Sequence, residues 1–186
     1  MRATKGSALS LPQLAARAQL GDREALETLL TELARQLGPH VEHLIGDSDR
    51  AADVMQEVLL RIARKLPSLR EHAWVRAWAY RIATRDALRY VASSRRYAFT
   101  SLDEAANLAS PESDDGRRFD PALVSQLPAA VAALPEGCQI VVRLHYLDGL
   151  SQPEIAEVLS IALGTVKSRI AYGLRLLRSR FRSEDT

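Results

Sequence analysis

Two stretches of this 186-residue chain combine side chains that hold phosphate with side chains that meet bases. From Gly164 to Arg182 there are six basic residues (Lys167, Arg169, Arg175, Arg178, Arg180, Arg182) and no acidic one. At helical spacing, Lys167, Ser168, Ala171, Tyr172 and Arg175 share one side, and Val166, Ile170, Leu174, Leu177 and Phe181 share another. A basic amphipathic helix of this kind can grip the DNA backbone and present side chains to base edges. In the second stretch, Trp74, Trp78, Tyr80, Tyr90 and Tyr97 sit among Arg76, Arg81, Arg85, Arg89, Arg95 and Arg96. Five arginines stand against the single Asp86 between Arg81 and Arg96. Aromatic faces stack bases while arginines hold phosphates, a mixture suited to opened or single-stranded nucleic acid. The competing interpretations are ordinary ones. The basic helix could belong to a helical hairpin with a solvated face. Trp74, Trp78 and Ile82, four apart each time, could be a core stripe, and Trp78 is open to either interpretation.

Other chemistry finds little support. No Gly-rich phosphate loop, nucleophile elbow or Cys/His metal spacing occurs, so neither enzyme activity nor a cofactor is expected. His40 and His43 are three apart but lack a third ligand nearby, and structural zinc wants four, so no metal site is expected. Cys138 is the single cysteine, which excludes an internal disulfide, fits a reducing compartment and reads as a small, partly buried residue. No apolar run approaches membrane-spanning length, and the N-terminus lacks the apolar core of a signal peptide; a cytoplasmic protein without membrane insertion is expected. The formal net charge is only +2, so the basic surfaces must be offset by acidic segments elsewhere.

The elements that must position these residues are helices. Ser151 and Glu154 form a capping-box pattern, Pro153 sits in the first turn, and Ile155, Ala156, Val158 and Leu159 give an apolar face. Residues 160–164 are short enough only for a turn before the basic helix, and the whole is a helix-turn-helix pattern. Upstream, a short helix around Leu11, Leu14, Ala15 and Ala18 is a weakly patterned lead-in. A stronger helix opens at Gly21-Asp22 with Ala25, Leu26, Leu29, Leu30, Leu33 and Leu37 as its stripe, and Gly38-Pro39 should stop it. From Asp49 to Leu66 another amphipathic helix points Val54, Val58, Leu59, Ile62 and Leu66 inward and groups Asp53, Gln56, Glu57 and Arg61 opposite; spacing alone makes that group a solvated face. Residues 101–120 hold six acids against two bases, with no sustained apolar period, and read as a flexible linker. Beyond it, Leu123 to Leu134 and the stripe of Ile140, Val141, Leu144 and Leu147 complete a four-helix C-terminal domain. The expected fold class is all-α: two small helical domains joined by a flexible acidic linker, the second a helix-turn-helix. The boundaries are 1–21 for the lead-in, 22–97 for the first domain, 98–122 for the linker and 123–183 for the second domain.

At this point the segments DVMQEVLLR, WAYRIA and GTVKSR, in that order and spacing, resemble bacterial RNA polymerase sigma factors of the extracytoplasmic-function group. The resemblance covers about residues 20 to 182 and implies promoter-specific transcription initiation, with no cofactor. It implies that Asp53, Gln56, Glu57 and Arg61 dock on core polymerase, which turns the polar group from solvated face into partner surface. It implies that Trp78, Tyr80, Arg81 and Arg85, with Arg89, Arg95 and Arg96, engage and open the −10 element. It implies that Thr165, Lys167, Ser168, Arg169, Ala171, Tyr172 and Arg175 read the −35 element. The linker would thread into the polymerase, and an anti-sigma factor is an implied partner. The sequence departs from the family pattern at Arg85 (usually asparagine), near Arg89 (aspartate), at Gly137 (arginine or a helix former), at Ser160 (glycine) and at Ala162 (a capping serine or threonine). Ala171 and Tyr172 replace larger or basic residues, implying a different −35 sequence. The alternative is a stand-alone helix-turn-helix regulator whose first domain binds an effector or dimerises. A helical adaptor with no DNA role is a further class.

Overall fold

The computed structural model describes residues 9–94 and 121–183. Every regular element among them is helical. They fall into two compact units, the first holding α1 (Leu11–Gln19), α2 (Arg23–Ile45), α3 (Ser48–Lys65) and α4 (Val75–Ser94). The second holds α5 (Pro121–Ala132), α6 (Glu136–Tyr146), α7 (Gln152–Leu159) and α8 (Leu163–Ser183). The linker expected over 98–122 lies outside the described residues, except that its last two positions belong to α5.

In the first unit α2 is the hub, packed against α1, α3 and α4. Its start follows the local signals: the Asp22 carboxylate accepts from the Ala25 N–H at 3.0 Å, and this bond holds the Asp22 carboxyl below the usual carboxylate range. Its end does not follow them. Gly38-Pro39 was expected to stop the helix, yet α2 runs on to Ile45 and closes on Gly46 in the left-handed conformation at φ 74°. An interior proline costs about 3 kcal/mol through its lost N–H and ring clash. Here packing overrides that cost, because Leu37, His40 and Val41 around Pro39 are all fully buried while the proline itself faces solvent. The Tyr80 hydroxyl from α4 donates to the Gln36 carbonyl in the same turn, at 3.1 Å.

Between α3 and α4 the chain makes two short 3-10 turns, Leu66–Ser68 and His72–Trp74. The segment expected as a lead-in is part of this unit: α1 buries Leu14 and Ala15, and packs on α2 and on both 3-10 turns. Periodicity gave it little weight because it has only nine residues, too few to show more than two buried positions.

The second unit is built on α8. Ser151 and Glu154 form the expected reciprocal cap on α7, with Ser151 N–H to Glu154 Oε2 at 2.8 Å. α7 then ends at Ser160, whose φ of 56° is the one left-handed non-glycine conformation among the described residues. The Ala162 carbonyl accepts from Val166 N–H at 3.1 Å, which makes Ala162 the N-cap of α8. Ala130, Val131, Leu134, Cys138, Val142 and Leu177 form one core cluster, so Cys138 is fully rather than partly buried. Burial pushes its thiol pKa up. Two glycines set helix spacing here. A Cβ on Gly173, in the middle of α8, would sit 2.9 Å from Val142 Cγ2, so α6 and α8 approach closely only because it is absent. A Cβ on Gly137 would meet the Arg169 guanidinium carbon at 3.2 Å, closer than an ordinary contact, so Arg169 would have to shift.

Three stability outcomes are expected in denaturant unfolding of the full chain. Gly173→Ala should destabilise the second unit by about 1–2 kcal/mol, overpacking outweighing the roughly 1 kcal/mol helix-propensity gain. Ser160→Gly should stabilise it by up to about 1 kcal/mol by removing left-handed strain. Ala162→Ser should add about 0.5–2 kcal/mol by restoring a capping oxygen.

Candidate nucleic-acid interface

Three exposed stripes carry the residues that the sequence singled out. On α4, Trp78, Arg81, Arg85 and Arg89 recur at spacings of three and four and line one side, with Trp74 just before the helix at its upper end. Arg85 and Arg89 are exposed, Trp78 and Arg81 half-buried, and Trp74 is 41% exposed. Trp74, Trp78 and Ile82 do not form one buried stripe: Trp74 is exposed, Trp78 half-buried and Ile82 buried.

Tyr80 does not join this stripe. It is 1% exposed, bonded to the Gln36 carbonyl, and edge-on to the His40 ring at 5.3 Å between centroids. Its residue type suggested stacking on bases; its helical phase, two positions from Trp78, places it on the opposite, core-facing side. His40 is likewise a core residue, its Nε2 2.9 Å from Thr84 Oγ1. No group of three metal-binding side chains exists among the described residues. Arg95 and Arg96 lie outside the described residues.

Asp86 sits beneath the stripe, 9% exposed. Its Oδ1 accepts from Arg61 Nη1 of α3 at 2.9 Å and lies 3.6 Å from Arg89 Nη1. Arg61 is therefore tied toward α4, set apart from Asp53, Gln56 and Glu57, which are all exposed along the outer side of α3. Leu60, 57% exposed, extends that side. Its place three residues after Glu57 puts it on the polar stripe, a signal present in the spacing, and an exposed leucine there marks a contact surface rather than a solvated one.

On α8 the fully exposed members are Lys167, Arg175 and Arg178, with half-buried Ala171 between them. Arg178 completes the stripe by spacing alone and was the cationic position left out of the sequence-derived set. Ser168 donates its hydroxyl to the Thr165 carbonyl at 3.0 Å. Arg175 lies over the Tyr172 ring at 5.0 Å from its centroid, a contact worth about 0.5–1 kcal/mol at an exposed site. Tyr172 also packs against the core cluster, so it supports the stripe as well as edging it. Arg169 turns away, its guanidinium against Gly137 at the start of α6. Of the seven residues expected at this surface, Lys167, Ala171 and Arg175 form the outward stripe, Thr165, Ser168 and Tyr172 flank it, and Arg169 lies half-buried against α6.

Comparison with known proteins fits these units one to one. The family profile described as sigma-70 region 2 matches residues 24–97, and that described as sigma-70, region 4 matches residues 125–177. The ECF RNA polymerase sigma-E factor of Escherichia coli K12 is 31% identical over 166 residues, covering 84% of this chain and 86% of that protein. The RNA polymerase sigma-H factor of Pseudomonas aeruginosa is 31% identical over 170 residues, covering 85% and 86%. Among solved structures, CnrH in complex with the cytosolic domain of CnrY shares the fold at a TM-score of 0.66 and 20% identity, covering 93% of this chain and 97% of that one. The sigma factor RpoE in complex with the anti-sigma factor NepR from Bartonella quintana does so at 0.63 and 20%, covering 84% and 96%. With both sigma-70 regions present in order and the identity sustained across most of both chains, this protein belongs to the extracytoplasmic-function group of the sigma-70 family of RNA polymerase sigma factors.

Proposed function

We propose that this chain binds core RNA polymerase and directs it to start transcription at specific promoters, with α8 engaging the −35 element and α4 the −10 element as it opens. The observation that carries this reading is the presence of both sigma-70 regions in one chain, each bearing a cationic outward stripe. A stand-alone helix-turn-helix regulator would account for α7 and α8 but leaves the region 2 match over residues 24–97 without a role. The exposed Asp53, Gln56, Glu57 and Leu60 of α3 are the proposed polymerase-docking residues, with Arg61 holding α3 to α4 through Asp86. Trp78, Arg81, Arg85 and Arg89 hold the separated strand by stacking and phosphate contact. Lys167 and Arg175 approach DNA from α8, with Ser168, Ala171 and Tyr172 setting the shape of the reading surface.

Initiation of this kind needs no catalytic group of the sigma factor's own, since it positions the polymerase; the chain is read as a non-enzymatic factor working in the cytoplasm. An anti-sigma factor is its proposed regulator. No described helix is long and apolar enough to cross a membrane.

Run-off transcription with purified core polymerase tests the function: promoter-specific transcripts should appear only when this chain is added, and their absence across a genomic promoter library would refute it. Gln56→Ala with Glu57→Ala should weaken binding to core polymerase while leaving the unfolding transition of the first unit in place; capture of core enzyme at wild-type strength would reject the α3 assignment. Lys167→Ala should cost about 1–3 kcal/mol of −35 binding, concentrated at one base position. A loss equal for every sequence would mean that Lys167 contacts only phosphate.

A further inference from the structure

The region 2 match begins at residue 24, so α1 stands outside it. The last residue of α1, Gln19, nevertheless makes three side-chain hydrogen bonds to one distant segment. Its Nε2 donates to the Leu66 carbonyl and to the Leu69 carbonyl, both at 2.7 Å. Its Oε1 is 2.7 Å from His72 Nε2. With both amide hydrogens committed to carbonyls, the oxygen must accept, so His72 donates through Nε2–H. One half-buried side chain thus joins the end of α3, the first 3-10 turn and the second, across 47 to 53 residues of sequence.

The segment so held is the connection that feeds α4. It buries Leu66 and exposes Arg70, Glu71, Ala73 and Trp74. Between the two 3-10 turns it has no regular backbone ladder of its own, and the Leu69 carbonyl takes its bond from Gln19. Trp74 is held by the second 3-10 turn through its own N–H to the Glu71 carbonyl at 3.1 Å, two residues after His72, whose ring Gln19 holds.

We propose that Gln19 is a positioning residue for the −10 surface: it fixes the α3–α4 connection so that Arg70 and Trp74 are presented beside the α4 stripe when the strands separate. This rests on the reading of α4 as the −10 surface. Gln19 touches no DNA; it acts through the backbone that it holds.

The test uses the full-length protein with Gln19→Met, which keeps side-chain length and loses all three bonds, and His72→Ala, which loses one. Hydrogen exchange in the free protein reads the clamp. In Gln19→Met, the hydrogen-bonded amides of Leu66, Leu69 and Trp74 should exchange about tenfold faster while α2 and α3 stay within about twofold, with His72→Ala in between. Open-complex formation with core polymerase, followed by permanganate reactivity of unpaired thymines, reads the function. It should slow by about tenfold at unchanged affinity for core enzyme, the size of one lost local contact. Unchanged exchange in 66–74, or equal acceleration throughout the unit, overturns the clamp. Local acceleration with wild-type strand opening overturns the positioning role. If the wild-type protein itself opens no promoter, the sigma reading has failed, and the exchange experiment still decides the clamp.

Discussion

The first unit depends on a polar seam buried between α2 and α4. Tyr80 donates to Gln36, His40 meets Thr84, and the His40 and Tyr80 rings lie edge to face. Arg76 closes the seam at the rim, with Nε to the Gln36 side chain at 3.2 Å and its guanidinium over the Tyr80 ring. Buried polar groups are costly unless every one finds a partner, so the seam admits few rotations of α4 about its axis. A rotation by one residue would break it and would also carry the arginine stripe off the surface. His40 also belongs to the buried set, with Leu37 and Val41, that carries α2 through Pro39, so the hub helix and the orientation of its neighbour share one residue.

In the second unit the corresponding constraint is steric. Gly173 allows α8 to lie against Val142, and Gly137 gives Arg169 somewhere to go. Both bear on how closely α6 and α8 pack. Arg169 is the clearest result: a cation in the middle of a cationic run, two residues after Lys167, lies half-buried against α6. Charge counting along a helix cannot distinguish such a residue from its exposed neighbours, because the difference lies in what the facing helix lacks.

Much of the architecture was legible in the chain. The period of the apolar residues placed α2, α3, α6 and the helix-turn-helix, and the capping pattern at Ser151 fixed the start of α7, because these signals are local. Three things were not legible, each for a non-local reason. Pro39 reads as a stop, and only the burial of Leu37, His40 and Val41 against other helices reverses it. Tyr80 reads as a stacking ring, and only its phase relative to the finished core shows otherwise. Gln19 sits in a segment too short for a convincing period, and its partners are distant in sequence. Along α3, α4 and α8, helical phase separates exposed from core-facing positions, while the ion pair of Arg61 with Asp86 crosses helices and leaves no trace in spacing.

Asp86 has a further bearing on how tightly this protein's grip on nucleic acid would depend on salt. Binding of a cationic side chain to a phosphate releases condensed counterions, and each such contact to a single strand steepens the salt dependence by about 0.7 in log–log slope. That account assumes an arginine that meets only small ions beforehand. Arg89 instead rests 3.6 Å from a carboxylate that is 9% exposed, and a contact with phosphate trades one anion for another. Contact of a strand with the α4 stripe would then release fewer counterions than its arginine count predicts, and its affinity would fall less steeply with salt.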